Sequence, residues 1–175
     1  MNETMNALLN RRSIRKYRDE MPRREDLEQI IQAGLYAASG KGGQSSIIVA
    51  VTDKALRDRL MEMNRKVGGW AEGFDPFYGA PAVLLVLAKK DTPFTVADGS
   101  LSMGNMMLAA YALGLGSCWI NRAKEEFESE EGKEILRSLG VEGEYEGVGH
   151  CIVGYPAQDH PAAAPRKDGR VFWAE

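Results

Sequence analysis

The chain has 175 residues, of which 44% are hydrophobic and 27% charged, and its formal net charge at pH 7 is −3. This length and composition predict one globular domain over residues 1–175, long enough to bury one core and too short for two. The net charge disfavours a nucleic-acid partner, no apolar run approaches the roughly 20 residues that span a bilayer, and the polar start lacks a signal-peptide pattern. We therefore expect no membrane partner and a cytoplasmic location.

The first distinctive segment follows a short predicted N-terminal helix and reads Arg-Arg-Ser-Ile-Arg-Lys-Tyr over residues 11–17. Guanidinium groups bind phosphate oxygens in a bidentate manner, and the hydroxyl of Ser13 adds an uncharged donor. The segment predicts a site for a phosphate monoester. The alternative is an exposed basic turn that forms surface ion pairs with Asp19 and Glu20.

Hydrophobic periodicity predicts the elements that follow. Pro22 suits the first turn of a helix, and apolar residues recur at helical spacing from Leu27 to Ala38. The β-branched run from Ile47 to Val51 predicts a strand, and Asp53 is placed to cap a second amphipathic helix. The apolar face of that helix comprises Leu56, Leu60, Met63 and Val67. A second, buried strand is predicted over residues 83–88.

The longest apolar segment runs from Leu101 to Leu113, and Gly114 is placed to end it. A helix that is apolar on all sides lies in a core or at a subunit interface, and the cluster of Met103, Met106 and Met107 suits either place. Beyond it, residues 118–120 and 149–154 predict two strands joined by an acidic helix over residues 125–139. The pattern indicates a mixed sheet flanked by helices.

Cysteine and histidine offer little material for metal or thiol chemistry. Cys118 and Cys151 each lie in an apolar, strand-like run, which predicts buried free thiols. The histidines are His150 and His160, with no zinc-binding spacing, so we expect no metal site. His150 lies in a strand pattern, where a packed core histidine is more usual than a catalytic base.

Two glycine patterns resemble nucleotide-binding motifs and fail on spacing. Between Gly34 and Gly40 lie five residues where a P-loop needs four, and Lys41 is not followed by Ser or Thr. The Gly114-x-Gly116 pattern reaches Trp119 where a dinucleotide fingerprint needs glycine. The sequence therefore predicts no Rossmann-type site.

The order of several motifs resembles the nitroreductase family of flavoproteins almost from end to end. The matching segments are the basic segment at residues 11–17, Ala-Ser-Gly-Lys-Gly-Gly-Gln-Ser at 38–45, Phe-Tyr-Gly-Ala-Pro-Ala-Val at 77–83, Asp-Gly-Ser at 98–100, Leu-Gly-Leu-Gly-Ser-Cys-Trp-Ile at 113–120, Gly-His-Cys-Ile-Val-Gly-Tyr-Pro at 149–156 and Pro-Arg-Lys at 165–167. The resemblance implies FMN as cofactor and an α+β nitroreductase-like fold with a mixed, mostly antiparallel sheet. It also implies an intertwined homodimer with its flavins between the subunits and its long central helices, around Met106, Met107 and Leu108, at the interface.

The resemblance assigns roles to individual positions. It implies that Arg11, Arg12 and Ser13 bind the FMN phosphate, with Arg15 near the N1 and O2 edge of the ring. For Arg15 the alternative is a third phosphate ligand. Residues from the C-terminal tail and from the partner subunit complete the cofactor site, namely Arg166 and Lys167 at the phosphate and Ser39, Gly40 and Gln44 beside the ribityl and dimethylbenzene groups.

The loop over residues 119–122 resembles the segment that packs on one flavin face and offers a backbone N–H to N5. Its predicted cofactor contacts are Trp119, Ile120 and Asn121. The loop reads Trp-Ile-Asn-Arg where many relatives have Pro-Ile-Glu-Gly, and Gly42 stands where an asparagine is usual. No side chain is expected to act as an essential acid or base, because the flavin carries the hydride.

The implied activity is transfer of a hydride from NAD(P)H to flavin N5 and then, by ping-pong exchange, to nitroaromatic, quinone-like or other electron-poor small molecules. The alternatives are an FMN-binding protein for storage or sensing, or a specialised reaction such as reductive dehalogenation or flavin fragmentation. Residues 160–175 are expected to form an arm over the partner subunit, because Phe172 and Trp173 are unusual in a solvated, disordered end. The physiological acceptor and the choice between NADH and NADPH stay open.

Overall fold

The computed structural model describes residues 2–175, so Met1, the first residue of the predicted domain, lies outside the described part. Within that part the chain forms six α-helices and four strands. The helices are α1 (Glu3–Asn10), α2 (Arg24–Leu35), α3 (Lys54–Gly68), α4 (Thr95–Ala112), α5 (Ala123–Glu128) and α6 (Glu130–Ser138). The strands are β1 (Ser46–Val51), β2 (Ala82–Lys89), β3 (Gly116–Ile120) and β4 (Tyr145–Gly154). A single turn of 3₁₀ helix at Gly40–Gly42 precedes β1.

The four strands form one sheet in the order β1-β2-β4-β3, and every neighbouring pair is antiparallel. The parallel pairing expected of a mixed sheet is limited to a bridge between Ser13 of the basic segment and Ser117 of β3. This bridge, together with a hydrogen bond of 3.0 Å from the Ile14 N–H to the Ser117 carbonyl, extends the sheet with the basic segment. The α+β architecture is as predicted.

Alternation along β2 divides the core into two layers, because successive strand residues point to opposite faces of a sheet. Val83, Leu85 and Leu87 pack in a cluster with residues of α3, α5 and α6. Ala82, Leu84 and Val86 pack on the other face, in a cluster with residues of α2 and α4. The sheet is therefore covered by helices on both faces, and the ends of its edge strands remain available for a site.

Two predicted helix boundaries are wrong. Helix α2 begins at Arg24, and the extended Arg23 precedes it, so Pro22 lies before the first turn. The predicted helix at 125–139 is two helices, because Ser129 is extended and its hydroxyl accepts the Gly132 N–H at 3.1 Å. Gly132 allows the close turn, since a Cβ there would lie 2.2 Å from the Glu126 carbonyl oxygen.

Helix α4 is longer than its apolar stretch and serves mainly as a core helix of its own chain. Met103 and Met106 are fully buried, and Met106 packs against Gly34 of α2. Met107 and Leu108 are half-buried, which leaves part of this face open. Met106 is therefore buried within its own chain and is not available to the subunit interface that the sequence predicts around it. None of the described helices combines the length and apolar character of a membrane span.

Candidate functional site

The basic segment lies along the outer edge of β3. Helix α1 ends at Asn10 and is capped by Arg11, whose N–H donates to the Ala7 carbonyl, and the chain then continues in extended conformation beside β3. Ile14 is buried against Gly116, where a Cβ would lie 2.9 Å from the Ile14 side chain. The apolar residue anchors the segment, and its neighbours Ser13 and Arg15 are more exposed.

Two arginines of this segment carry buried N–H groups without a protein acceptor. Nη1 of Arg11 and Nε of Arg12 are inaccessible to solvent and have no hydrogen-bond partner. Nη1 of Arg12 donates to the carbonyls of Leu9, at 2.9 Å, and Arg11, at 2.6 Å, which fixes its guanidinium beside the end of α1. Buried cationic donors are costly unless an acceptor satisfies them, so this geometry fits a bound anion.

The alternative of surface ion pairs is not observed. Within residues 2–175, neither Asp19 nor Glu20 forms an ion pair, and no carboxylate lies within 4.0 Å of a guanidinium nitrogen of Arg11 or Arg12. The cationic charge of the segment is therefore not neutralised within the chain.

Arg15 borders a cavity of about 160 Å³ beside the C-terminal end of β3. Trp119, Ile120, Asn121 and Arg122 form one part of its lining. The rest of its lining includes a group of aromatic residues, Trp70, Phe74 and Tyr78, with Pro76. Arg15 and Arg122 are the charged residues among those that line it. The cavity thus combines flat apolar surfaces with positive charge.

The predicted loop over residues 119–122 is only partly a loop, because Trp119 and Ile120 are the last residues of β3 and Arg122 directly precedes α5. Buried polar side chains hold the backbone at Asn121, between the two elements. Nδ2 of Asn64 donates to the Asn121 carbonyl at 2.7 Å and to Oε1 of Glu126 at 2.5 Å. Oε2 of Glu126 lies 3.1 Å from Nε2 of His150. Asn64, Glu126 and His150 are all buried. The sequence patterns did not identify Asn64 or Glu126 as residues of the site. A sign of Asn64 was present, because it is a polar residue next to Met63 on the apolar face of α3.

His150 is a packed core residue, as predicted. Its ring is fully buried, with centroids 5.1 Å from that of Phe77 and 6.4 Å from that of Phe127. It does not line the cavity. Neither ring nitrogen makes a hydrogen bond, although Nε2 lies 3.1 Å from Oε2 of Glu126, so the ring is packed as expected but its polar atoms are not satisfied as expected. This position supports a role in holding the site and not in contacting a substrate.

The other predicted segment, residues 39–44, lies at the opposite edge of the sheet, before β1. Asp98 of α4 organises it, since one carboxylate oxygen accepts the Gly40 N–H at 2.8 Å and the other accepts the Ser45 hydroxyl at 2.6 Å. The Ser39 hydroxyl accepts the Gln44 N–H at 3.0 Å. A Cβ at Gly40 would lie 2.2 Å from the Phe94 ring, so the tight approach requires glycine.

The chain does not bring the two predicted halves of the site together. Ser39 and Gln44 line a cavity of about 140 Å³ that shares no lining residue with the cavity at Arg15. β1 and β3 are opposite edge strands of the sheet. Three interstrand spacings of about 4.8 Å put these edges about 14 Å apart.

The C-terminal tail begins beside the basic segment, where the Ala157 N–H donates to the Lys16 carbonyl at 2.9 Å and the Arg15 N–H donates to the Gln158 side chain at 3.2 Å. Within residues 2–175, the predicted tail residues Arg166 and Lys167 make no hydrogen bond to that segment. Arg166 is exposed, with its guanidinium bonded to the Ala164 carbonyl, and Lys167 is exposed. The tail leaves the body of the protein at His160, whose Nε2 lies 2.6 Å from the Asn10 carbonyl oxygen. Beyond it Phe172 is 88% exposed and Trp173 84% exposed.

Burial keeps the buried thiol and phenol protonated. Cys118 and Cys151 are free and buried, as predicted, and burial raises the pKa of Cys151 to about 12. Burial likewise raises the pKa of Tyr17, whose hydroxyl donates to the Ile14 carbonyl at 2.7 Å. Neither residue is therefore suited to proton transfer or nucleophilic attack near neutral pH.

Comparison with known proteins identifies relatives over nearly the whole chain. A profile of the nitroreductase family matches residues 8–155. The solved structure of a nitroreductase with bound FMN from Bacteroides fragilis superposes with a TM-score of 0.91 at 28% identity and full coverage of both chains. The oxygen-insensitive NADPH nitroreductase of Salmonella typhimurium is 30% identical, over 95% of this chain and 70% of that protein. An FMN reductase [NAD(P)H] of Bacillus subtilis is 27% identical, with the same coverage.

Proposed function

The chain belongs to the nitroreductase family, and we propose that it is an FMN-dependent oxidoreductase that transfers a hydride from NAD(P)H to electron-poor small molecules such as nitroaromatics and quinones. The observation that carries this proposal is the pair of buried, unpartnered donors on Arg11 and Arg12. They belong to the same short segment as Arg15, which lines a cationic cavity with aromatic residues. A phosphate satisfies the donors, and a flat ring fits the cavity.

The residues at the β3 edge fit the two ends of FMN. Arg11 and Arg12 hold the phosphate, and Ser13 adds a hydroxyl donor. Arg15 lines the cavity. It would lie near the N1 and O2 edge of the ring, where a fixed positive charge favours the negative charge that the ring gains on reduction. Trp119, Ile120 and Asn121 support one face. The bound FMN supplies hydride transfer through N5, while the protein binds it, orients it and tunes its potential.

The active protein is a homodimer with a composite site. Residues 1–175 form one nitroreductase-like domain, and residues 160–175 are an arm that brings Arg166 and Lys167 to the phosphate. Ser39, Gly40 and Gln44 come from the partner subunit, because one chain holds them at the opposite edge of its sheet. Apolar side chains that one chain leaves exposed support this assembly, among them Leu8, Leu9, Leu35, Tyr36, Val96, Leu101, Phe172 and Trp173.

Reductant and acceptor occupy the same open face in turn, which is ping-pong exchange. The sequence supports this order, because it has no separate dinucleotide fingerprint that would give the reductant a site of its own. No carboxylate is among the residues that line it, so the chain provides no acidic proton donor at the reacting atoms. The chain's own residues therefore contribute by positioning the cofactor and by placing positive charge beside it.

Steady-state turnover tests the proposal. The purified protein, reconstituted with FMN and freed of excess cofactor, is expected to oxidise NADH or NADPH when a nitroaromatic or a quinone is added. The matched control is the same preparation with riboflavin in place of FMN, which lacks the phosphate that Arg11 and Arg12 bind. Turnover that is absent with every acceptor in the FMN-loaded protein would contradict an oxidoreductase and favour a storage protein.

A further inference from the structure

Arg122 is a half-buried guanidinium without an acidic partner. Within residues 2–175, no carboxylate lies within 4.0 Å of it, and it donates no side-chain hydrogen bond. The chain treats comparable arginines differently: Arg57 contacts Asp75 at 2.6 Å, and Arg65 contacts Glu62 at 2.6 Å. In a chain with 25 acidic and 22 basic residues, this cation is left available for another anion.

The position of Arg122 is fixed by its surroundings. Its guanidinium carbon lies 5.3 Å from the centroid of the Trp70 ring, in a cation–π arrangement. Trp70 is held in turn by Phe74, with ring centroids 5.3 Å apart, and by Nη1 of Arg65, which donates to the Trp70 carbonyl at 2.8 Å. The stack restrains the guanidinium plane while its N–H groups stay free to bind.

The backbone at this point is also unusual. Arg122 has a φ of +81°, a conformation that glycine adopts freely and a side chain with a Cβ adopts at a cost. Tyr78, which lines the same cavity, has a φ of +53°. Strained residues of this kind concentrate at ligand sites, where the surrounding structure holds them in place. These two residues with a positive φ therefore line one cavity.

The cavity is lined by one more cationic side chain than the proposed flavin site uses. Arg15 and Arg122 line it, and no carboxylate does. In the proposed function Arg15 serves the flavin edge, which leaves Arg122 beside the aromatic walls made by Trp70, Phe74 and Tyr78. A planar ligand can stack on these walls while a carboxylate on it receives two N–H groups from the guanidinium fork.

We propose that Arg122 determines acceptor specificity and that the enzyme favours aromatic acceptors that carry an anionic group, such as a carboxylate. This inference rests on the proposed function, because the acceptor must lie over the flavin beside Arg122. The phosphates of NAD(P)H are also anionic groups that Arg122 could bind. The experiments below distinguish an anion on the acceptor from an anion on the reductant.

Binding of a non-reducible pair of ligands tests the inference without turnover. Benzoate and benzamide have the same ring and differ in charge, and each is titrated into oxidised holoenzyme while the flavin absorbance is followed. Benzoate is expected to bind at least tenfold more tightly than benzamide. Arg122→Gln, which keeps a long polar side chain, is expected to abolish this preference, and Arg122→Lys is expected to retain part of it. Equal affinities in the wild type, or a preference unchanged in Arg122→Gln, would overturn the inference.

Half-reaction kinetics assign the anion to acceptor or reductant. The ratio of kcat/KM for 4-nitrobenzoate to that for 4-nitrobenzamide is expected to fall at least tenfold in Arg122→Gln, and to fall with added salt in the wild type. A loss confined to the reduction of the flavin by NADH or NADPH would instead assign Arg122 to the phosphates of the reductant and overturn the acceptor assignment. The melting temperature and FMN content of each variant are measured first, to show that the variant is folded and loaded. The salt dependence is measured on the wild type, so it tests the inference even if a variant does not fold.

The outcomes separate the two proposals. If FMN-loaded enzyme reduces 4-nitrobenzamide and 4-nitrobenzoate equally well, the oxidoreductase assignment stands and the role of Arg122 is wrong. If it reduces neither compound with NADH or NADPH, the proposed function itself fails.

Discussion

The side-chain amide of Asn64 donates a hydrogen bond of 2.7 Å to the backbone carbonyl of Asn121 and joins the core of the protein to the loop that lines its cavity. The same nitrogen lies 2.5 Å from Oε1 of Glu126, whose other oxygen is 3.1 Å from His150. The backbone just beyond an edge strand is thereby fixed by one buried amide, which is itself hydrogen-bonded to the buried carboxylate of Glu126. Such preorganisation keeps the backbone N–H groups of residues 119–122 in place before a ligand arrives.

Replacing Asn64 tests this relationship. Asn64→Leu keeps the approximate volume and leaves the Asn121 carbonyl and the Glu126 carboxylate without their donor, so we expect a loss of about 1–3 kcal/mol in the free energy of unfolding. We also expect weaker FMN binding and an altered flavin potential. The control is Asn105→Leu, which removes a bond of 3.1 Å to the Ala33 carbonyl in another part of the core. Equal FMN affinity in the two variants would contradict a role for Asn64 in the site.

Arg12→Ala is expected to lower the affinity for FMN and leave that for riboflavin almost unchanged. Each charge-assisted hydrogen bond to the phosphate contributes roughly 1.5–3 kcal/mol, and every 1.4 kcal/mol is about a tenfold change in Kd. Because the Arg12 side chain also bonds two carbonyls at the end of α1, the FMN-to-riboflavin ratio separates phosphate binding from loss of structure. Arg18→Ala, an exposed arginine nearby, is the control. An unchanged ratio in Arg12→Ala would remove Arg12 from the phosphate site.

Arg15→Gln is expected to retain FMN and make it harder to reduce. A positive charge lost from the N1 edge removes a contribution on the order of 1–2 kcal/mol, and a two-electron potential shifts by about 30 mV for each 1.4 kcal/mol. A redox titration measures the shift, with Lys16→Gln, its exposed neighbour, as the control. If Arg15→Gln loses FMN and keeps its potential, Arg15 is a phosphate ligand.

Native Cys151 is expected to resist alkylation. Burial raises its pKa to about 12, so at pH 8 the thiol is protonated as well as inaccessible, and the reactive thiolate is absent. Iodoacetamide with mass analysis is expected to label it only when denaturant unfolds the chain. Rapid labelling of the native protein would contradict the burial of β4 in the core.

The protein is expected to sediment as a homodimer with one FMN per chain. The apolar residues left open on α1, on the half-buried face of α4 and in the tail need a second copy to cover them. Deletion of residues 161–175 is expected to weaken FMN binding as well as association, because the arm supplies Arg166 and Lys167. A monomer that retains full FMN affinity would contradict the composite site.

Local sequence patterns predicted much of the fold because they report local physics. The β-branched run at residues 47–51 identified β1, and Asp53 caps α3 as predicted, with its carboxylate accepting the Leu56 N–H at 2.8 Å. The break at Ser129 was missed because acidic, helix-favouring residues stand on both sides of it and only the serine itself signals a cap. The start of α2 was misplaced because proline suits several positions before a helix.

The site was predictable where its residues are neighbours in sequence and not where the fold assembles them. The basic segment and the 119–122 loop were found as short motifs. The link from Asn64 to Asn121 joins residues 57 positions apart, and the Glu126–His150 pair depends on the packing of α5 against β4. No periodicity encodes such contacts. The separation of residues 39–44 from the Arg15 cavity likewise depends on strand order.

An anaerobic titration of the purified, FMN-loaded protein tests the central claim most directly. The flavin band at about 450 nm is expected to bleach with one equivalent of NADH or NADPH per FMN and to return when a nitroaromatic or a quinone is added. Riboflavin is expected to stay bound much more weakly than FMN under the same conditions. A protein that retains no FMN after gel filtration, or that holds FMN and is not reduced by either nucleotide, would contradict the assignment as an FMN-dependent NAD(P)H oxidoreductase.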